Sequence, residues 1–110
     1  MSDLFCKIFL NTNMEYSELF EIIMLYINGK KEARTYIESS WCEMSIQKNK
    51  EYNSLENCMD FVFWKFYIDI EPLNTDEETY KNELYNLVSF LKKRFNYVVV
   101  SCDFEDEFIN

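Results

Sequence analysis

An α+β fold, one antiparallel sheet carrying two helices on one face, is what this sequence predicts. Three observations predict it. Four extended segments alternate apolar and polar residues, two stretches between them repeat at helical spacing, and the order along the chain is β-α-β-β-α-β. The 110 residues suit a single α+β domain over 1–110.

The first strand is expected over 4–10, where aromatic and β-branched residues surround Lys7. Thr12 and Glu15 then have the spacing of a capping box, which predicts a helix from near Asn13. Tyr16, Leu19, Phe20, Ile23 and Ile27 follow at helical spacing, and Asn28-Gly29 supplies a stop. A second extended region covers 34–47, and a charged, Asn-rich connection covers 48–60. The most strand-like segment is 61–70, ended by Pro72. Thr75 and Glu78 predict a second capping box and a helix from near Asp76, with acids in its first turn and Lys92, Lys93 and Arg94 in its last. The last strand is expected over 97–104, with an acidic tail behind it.

Side-chain parity ties these segments to one sheet. Even positions are apolar (Cys6, Ile8, Met44, Ile46, Trp64, Phe66, Ile68, Val98, Val100, Cys102), and odd positions carry the charges (Lys7, Glu43, Lys65, Asp69, Asp103). A period of two sends the first set beneath the helices and the second to an open face. Trp64 and Phe66 are therefore both expected in the core. Two right-handed strand-helix-strand units of this length predict a ferredoxin-like sandwich. Its four strands are expected in the spatial order fourth, first, third, second.

Composition narrows the function. Apolar residues at 48% exclude disorder, and the single Gly and single Pro exclude glycine-rich phosphate loops. The absence of His removes every mechanism that needs an imidazole. Asp+Glu outnumber Lys+Arg by 20 to 11, giving a net charge of −9 that disfavours nucleic acid and anionic membranes and favours basic protein partners. The longest apolar run, 22–27, falls far short of the roughly 20 residues that span a bilayer. The acidic opening Met1-Ser2-Asp3 does not look like a secretion signal, so a cytoplasmic location is expected. Cys6, Cys42, Cys58 and Cys102 are widely spaced and are expected as free thiols, without the pattern of a zinc set.

No catalytic, cofactor-binding or metal-binding residues are expected. The acid pairs Asp69-x-Glu71 and Asp103-x-Glu105 are expected at opposite ends of the sheet, roughly 20 Å apart, which is too far for one metal. Parity instead places Phe5, Phe9, Trp41, Phe63, Tyr67 and Tyr97 on the open face beside Glu43, Asp69 and Asp103. Aromatic anchors inside an acidic rim suit a protein partner. The residues expected to bind it are Trp41, Glu43, Tyr67, Asp69, Asp103, Glu105 and Asp106. A homodimer through the same face, or the 48–60 connection folded over it, are the other ways to cover it.

A small, acidic chain with this surface, no cofactor motif and no catalytic motif resembles the immunity proteins of contact-dependent and other polymorphic bacterial toxin systems. The resemblance is one of overall profile, and the site residues come from parity alone. It implies an inhibitor without enzymatic activity that neutralises a cognate basic toxin domain, a nuclease among the options, by direct binding. A phage-encoded inhibitor of a bacterial defence nuclease shares the profile. A homodimeric regulatory or small-molecule-sensing domain on the same sandwich is the alternative from another class.

Overall fold

The computed structural model describes residues 4–52 and 60–108. Six strands and two helices alternate along the chain: β1 (Cys6–Asn11), α1 (Tyr16–Tyr26), β2 (Lys30–Lys31), β3 (Tyr36–Glu38), β4 (Cys42–Lys48), β5 (Phe66–Pro72), α2 (Glu77–Arg94) and β6 (Tyr97–Cys102). They form one antiparallel sheet in the order β2-β3-β4-β5-β1-β6. The four longer strands thus lie in the order that parity and handedness predict. The sheet has six strands, however, and not the expected four.

The extra strands come from a turn that reads as strand in the sequence. The Ser39 hydroxyl accepts from the Trp41 and Cys42 amides, and the Ser39 amide donates to the Cys42 carbonyl at 2.9 Å. Serine used in this way turns the chain back on itself. The expected 34–47 strand is therefore a β3-β4 hairpin, with two-residue β2 added outside it.

Alternation is regular where strands exist. Cys6, Ile8 and Leu10 of β1, Cys42, Met44 and Ile46 of β4, and Phe66, Ile68 and Ile70 of β5 are all buried. They share a single core with Leu19, Phe20 and Ile23 of α1 and with Tyr80, Leu84, Leu87, Val88 and Leu91 of α2. Burying each such side chain stabilises the fold by about 1.5–3 kcal/mol relative to leaving it in water.

Both helix starts differ in detail from the capping-box reading. Helix α1 begins at Tyr16 after Glu15, whose side chain makes no cap, and Thr12 Oγ1 accepts from the Met14 amide two residues on instead of capping the helix. At α2 the cap is Asp76, one residue after Thr75, with its carboxylate accepting from the Thr79 amide at 3.0 Å. The helix α1 stop is as read. Asn28 takes a left-handed φ of 54°, and the Gly29 amide donates to the Met24 carbonyl. A Cβ on Gly29 would stand 2.5 Å from Ile37 Cγ2, so close packing and not φ demands glycine here.

The third expected strand is shorter at its start. Phe61–Phe63 form a 3-10 helix capped by Asp60, and β5 begins only at Phe66. Trp64 is buried as expected but not under the helices. It precedes the strand, so alternation does not govern it, and its ring packs edge-on to Phe61 and Tyr97. The last strand ends at Cys102, which leaves Phe104 buried in a turn and Asp103 exposed beyond the sheet. No helix among the described residues is long and apolar enough to cross a membrane.

Candidate functional site

The sheet face opposite the helices is built from the odd residues of β1, β4, β5 and β6 and from Tyr36 and Glu38 of β3. Pairing in register puts Tyr36 opposite Ser45, Glu38 opposite Glu43, and Glu43 opposite Glu71. Three carboxylates therefore stand in a row across three adjacent strands. Like charges directly opposite one another destabilise a sheet. The Tyr36 hydroxyl donates to Glu43 in a short hydrogen bond and lies 3.3 Å from Glu38 Oε1, bridging the two. These bonds to carboxylates hold the Tyr36 phenol well above its ordinary pKa.

Beside the row lies Asp69, opposite Lys7 on β1. Lys7 Nζ is 3.7 Å from Asp69 Oδ1, beyond hydrogen-bond reach, and 4.4 Å from the centre of the Tyr67 ring. That carboxylate oxygen is buried without a hydrogen bond among the described residues. Burial raises the Asp69 pKa, and the Lys7 ammonium acts against it. A shallow depression of about 210 Å³ opens here, lined by Phe5, Tyr36, Glu43, Ser45, Asp69 and Glu71.

The acid pairs do not sit at opposite ends, which corrects the expected 20 Å separation. Cys6 pairs with both Ile70 and Cys102, so β5 and β6, each antiparallel to β1, run parallel to one another. Ile70 and Cys102 are then two strand spacings apart, about 10 Å. Asp69, Glu71, Asp103 and Glu105 consequently gather toward the end of the sheet that also carries Glu38 and Glu43. No three acids or cysteines among the described residues converge as a metal-binding group. The opposite end is basic, with Lys48 closing β4, Lys65 preceding β5, and Arg94 closing α2 just before β6.

The basic half of this face is covered by the chain itself. The Phe61 ring lies 5.0 Å from Phe9, and Trp64 lies 5.6 Å from Tyr97. Asn49 holds this cover in place. Its side-chain amide donates to the Val62 carbonyl at 2.8 Å and to the Trp64 carbonyl at 2.7 Å. Residues 53–59 of the expected covering connection, Cys58 with them, lie outside the described residues.

The residues expected to bind a partner divide accordingly. Glu43 and Asp69 come together on the acidic half of the face, whereas Tyr67, opposite Phe9 and Gln47, stands at the border with the covered half; each is partly exposed. Asp103, Glu105 and Asp106 are exposed past the end of β6 at the same end of the sheet. Trp41 does not join them. It is 5% exposed and its ring packs 5.9 Å from Tyr80 in the core, because it sits in the Ser39 turn where strand parity has no hold. Sequence reasoning missed Tyr36 and Glu38, which only the hairpin brings onto this face. The Ser39-Ser40 pair was the available signal. Phe63 also leaves the face, being part of the 3-10 segment.

The remaining cysteines carry no activated thiol. Cys6, Cys42 and Cys102 are free, and burial pushes the Cys42 thiol up to about 11 and that of Cys6 higher still. Comparison with family models, with curated proteins and with solved structures returns no match to this chain.

Proposed function

We propose that this chain is a ferredoxin-like protein-binding module, extended at one edge, that acts as an immunity-type inhibitor of a basic toxin domain and does no chemistry of its own. The observation that carries this reading is the row Glu38-Glu43-Glu71 beside Asp69, set between Phe5 and Tyr36, with Tyr67 two residues along the strand from Asp69. Such a row costs stability in the free protein. A partner's lysines and arginines offset that cost on binding, while the aromatic side chains supply desolvated contact area. The net charge of −9 adds long-range attraction for a basic domain, a nuclease included.

The test is a binding titration against the products of the neighbouring reading frames, the basic ones first. Charge reversal of Glu43 and Asp69, or of Asp103, Glu105 and Asp106, should slow association and flatten its salt dependence. Tyr67→Ala should instead speed dissociation, by about 2 kcal/mol if the ring is an anchor. Affinity unchanged across all these variants removes the acidic half of the face from the mechanism.

A further inference from the structure

The two edges of the sheet are unlike. One is β2, two residues long and both of them lysine, which is how sheets commonly discourage pairing. The other is β6, six residues of sequence Tyr-Val-Val-Val-Ser-Cys without a charge or a proline. Strand β6 pairs with β1 on one side, and among the described residues it has no strand on the other. Its outer backbone donors and acceptors form an uncapped template for another strand.

The flanks of β6 say which strand fits. Lys92, Lys93 and Arg94 end the helix just before it, and Asp103, Glu105 and Asp106 follow it. An uncharged strand with a basic cluster at one end and an acidic one at the other is complementary to itself only when reversed. Parallel pairing sets like against like, whereas antiparallel pairing about a two-fold axis sets basic against acidic twice.

We infer that β6 is a self-association edge, pairing antiparallel with β6 of a second copy to make one continuous sheet. This goes beyond the partner-binding face and does not depend on it. A two-fold axis normal to the sheet keeps both helix layers on one side, so residues opposite one another share parity. An axis beside Val99 meets this condition and sets Tyr97 opposite Ser101 of the second copy. It also brings the basic end of α2, with Arg94, to the same side as the turn of that copy that carries Asp103 and Glu105. Six-residue edge pairing buries little surface, so the dimer is of the weak, micromolar class.

Sedimentation velocity at about 1–200 μM is the experiment, since that range brackets micromolar association. The wild-type chain should pass from monomer to dimer across it. Val99→Lys, which puts two lysines face to face at the axis, should weaken the dimer roughly tenfold or more. Arg94→Glu should weaken it too, and Arg94→Glu combined with Asp103→Lys and Glu105→Lys should restore it. All these positions are exposed or half-buried, and circular dichroism checks that each variant is folded. A wild-type chain that stays monomeric throughout overturns the inference. So does a dimer indifferent to Val99→Lys, or one that the charge swap fails to rescue, because such a dimer uses another surface or register.

Discussion

Replacing Trp41 by alanine separates a core role from a surface role most sharply. The side chain is 5% exposed and packs on Tyr80, itself fully buried beneath β5 with its hydroxyl 3.3 Å from the Ile70 carbonyl. A buried tryptophan removes about 200 Å² from water, and at about 25 cal/mol per Å² this is near 5 kcal/mol. Alanine keeps a small part of that, and core truncations of this kind cost about 3–5 kcal/mol. We take about 4 kcal/mol, a large share of the roughly 5–15 kcal/mol that a domain of this size possesses. Urea denaturation followed by circular dichroism reads it directly. With a slope near 2 kcal/mol/M the midpoint should fall by about 2 M, the slope itself staying constant. Trp41→Phe, which keeps most of the volume, should lose less than half as much. A loss below about 1 kcal/mol for the alanine variant would refute the core placement and return Trp41 to the surface.

Four further outcomes are expected. Burial holds the Asp69 carboxyl above its ordinary value, so its favourable contribution is present at low pH and is lost as pH rises through the raised value. Asp69→Asn should therefore match or exceed wild-type stability at pH 7, with any advantage gone below about pH 4; lower stability at pH 7 contradicts this. Gly29→Ala should lower the thermal midpoint, since the new methyl meets Ile37, and an unchanged midpoint would show that Ile37 yields freely. Asn49→Ala should leave the core intact yet raise proteolytic cleavage within 60–64, because two hydrogen bonds that hold that segment are lost. A thiol count under denaturing, non-reducing conditions should return four, Cys6, Cys42, Cys58 and Cys102, whereas in the native state buried Cys6 and Cys42 should react slowly; a native-state rate near that of a free thiol would contradict their burial.

What the sequence disclosed follows from which forces are local. Period-two alternation at Cys6-Ile8-Leu10 and Phe66-Ile68-Ile70 reports burial directly, and it located the core face and the central strands. Alternation fails wherever the backbone stops being extended, and Trp41 and Trp64 both stand just before a strand begins. Each is buried, but by packing that only the tertiary fold supplies. The acid cluster was hidden for a different reason. Glu43 and Asp69 were visible as outward charges, but their neighbours Glu38 and Tyr36 depend on a hairpin formed by a single serine hydroxyl. The meeting of Asp69 with Asp103 was implicit in the expected strand order, because two strands that each pair antiparallel with the first run parallel to one another, so the expected separation did not follow from it.

The pairing of β1 with β6 also sets a clock for synthesis. Strand β1 leaves the ribosome well before both of its neighbours in the sheet, β5 and β6. At about 5–20 residues per second, several seconds pass before Cys102 emerges to meet Cys6. Until β5 is out an apolar strand waits with both edges bare, and the β-α-β unit around α1 has no sheet centre to close on; until β6 is out one edge stays bare. Nascent chains should accordingly stay sensitive to protease, and receptive to chaperones, until the last strand is out. The stretch between those two cysteines then acts as a single cooperative unit and not as two halves that fold in turn.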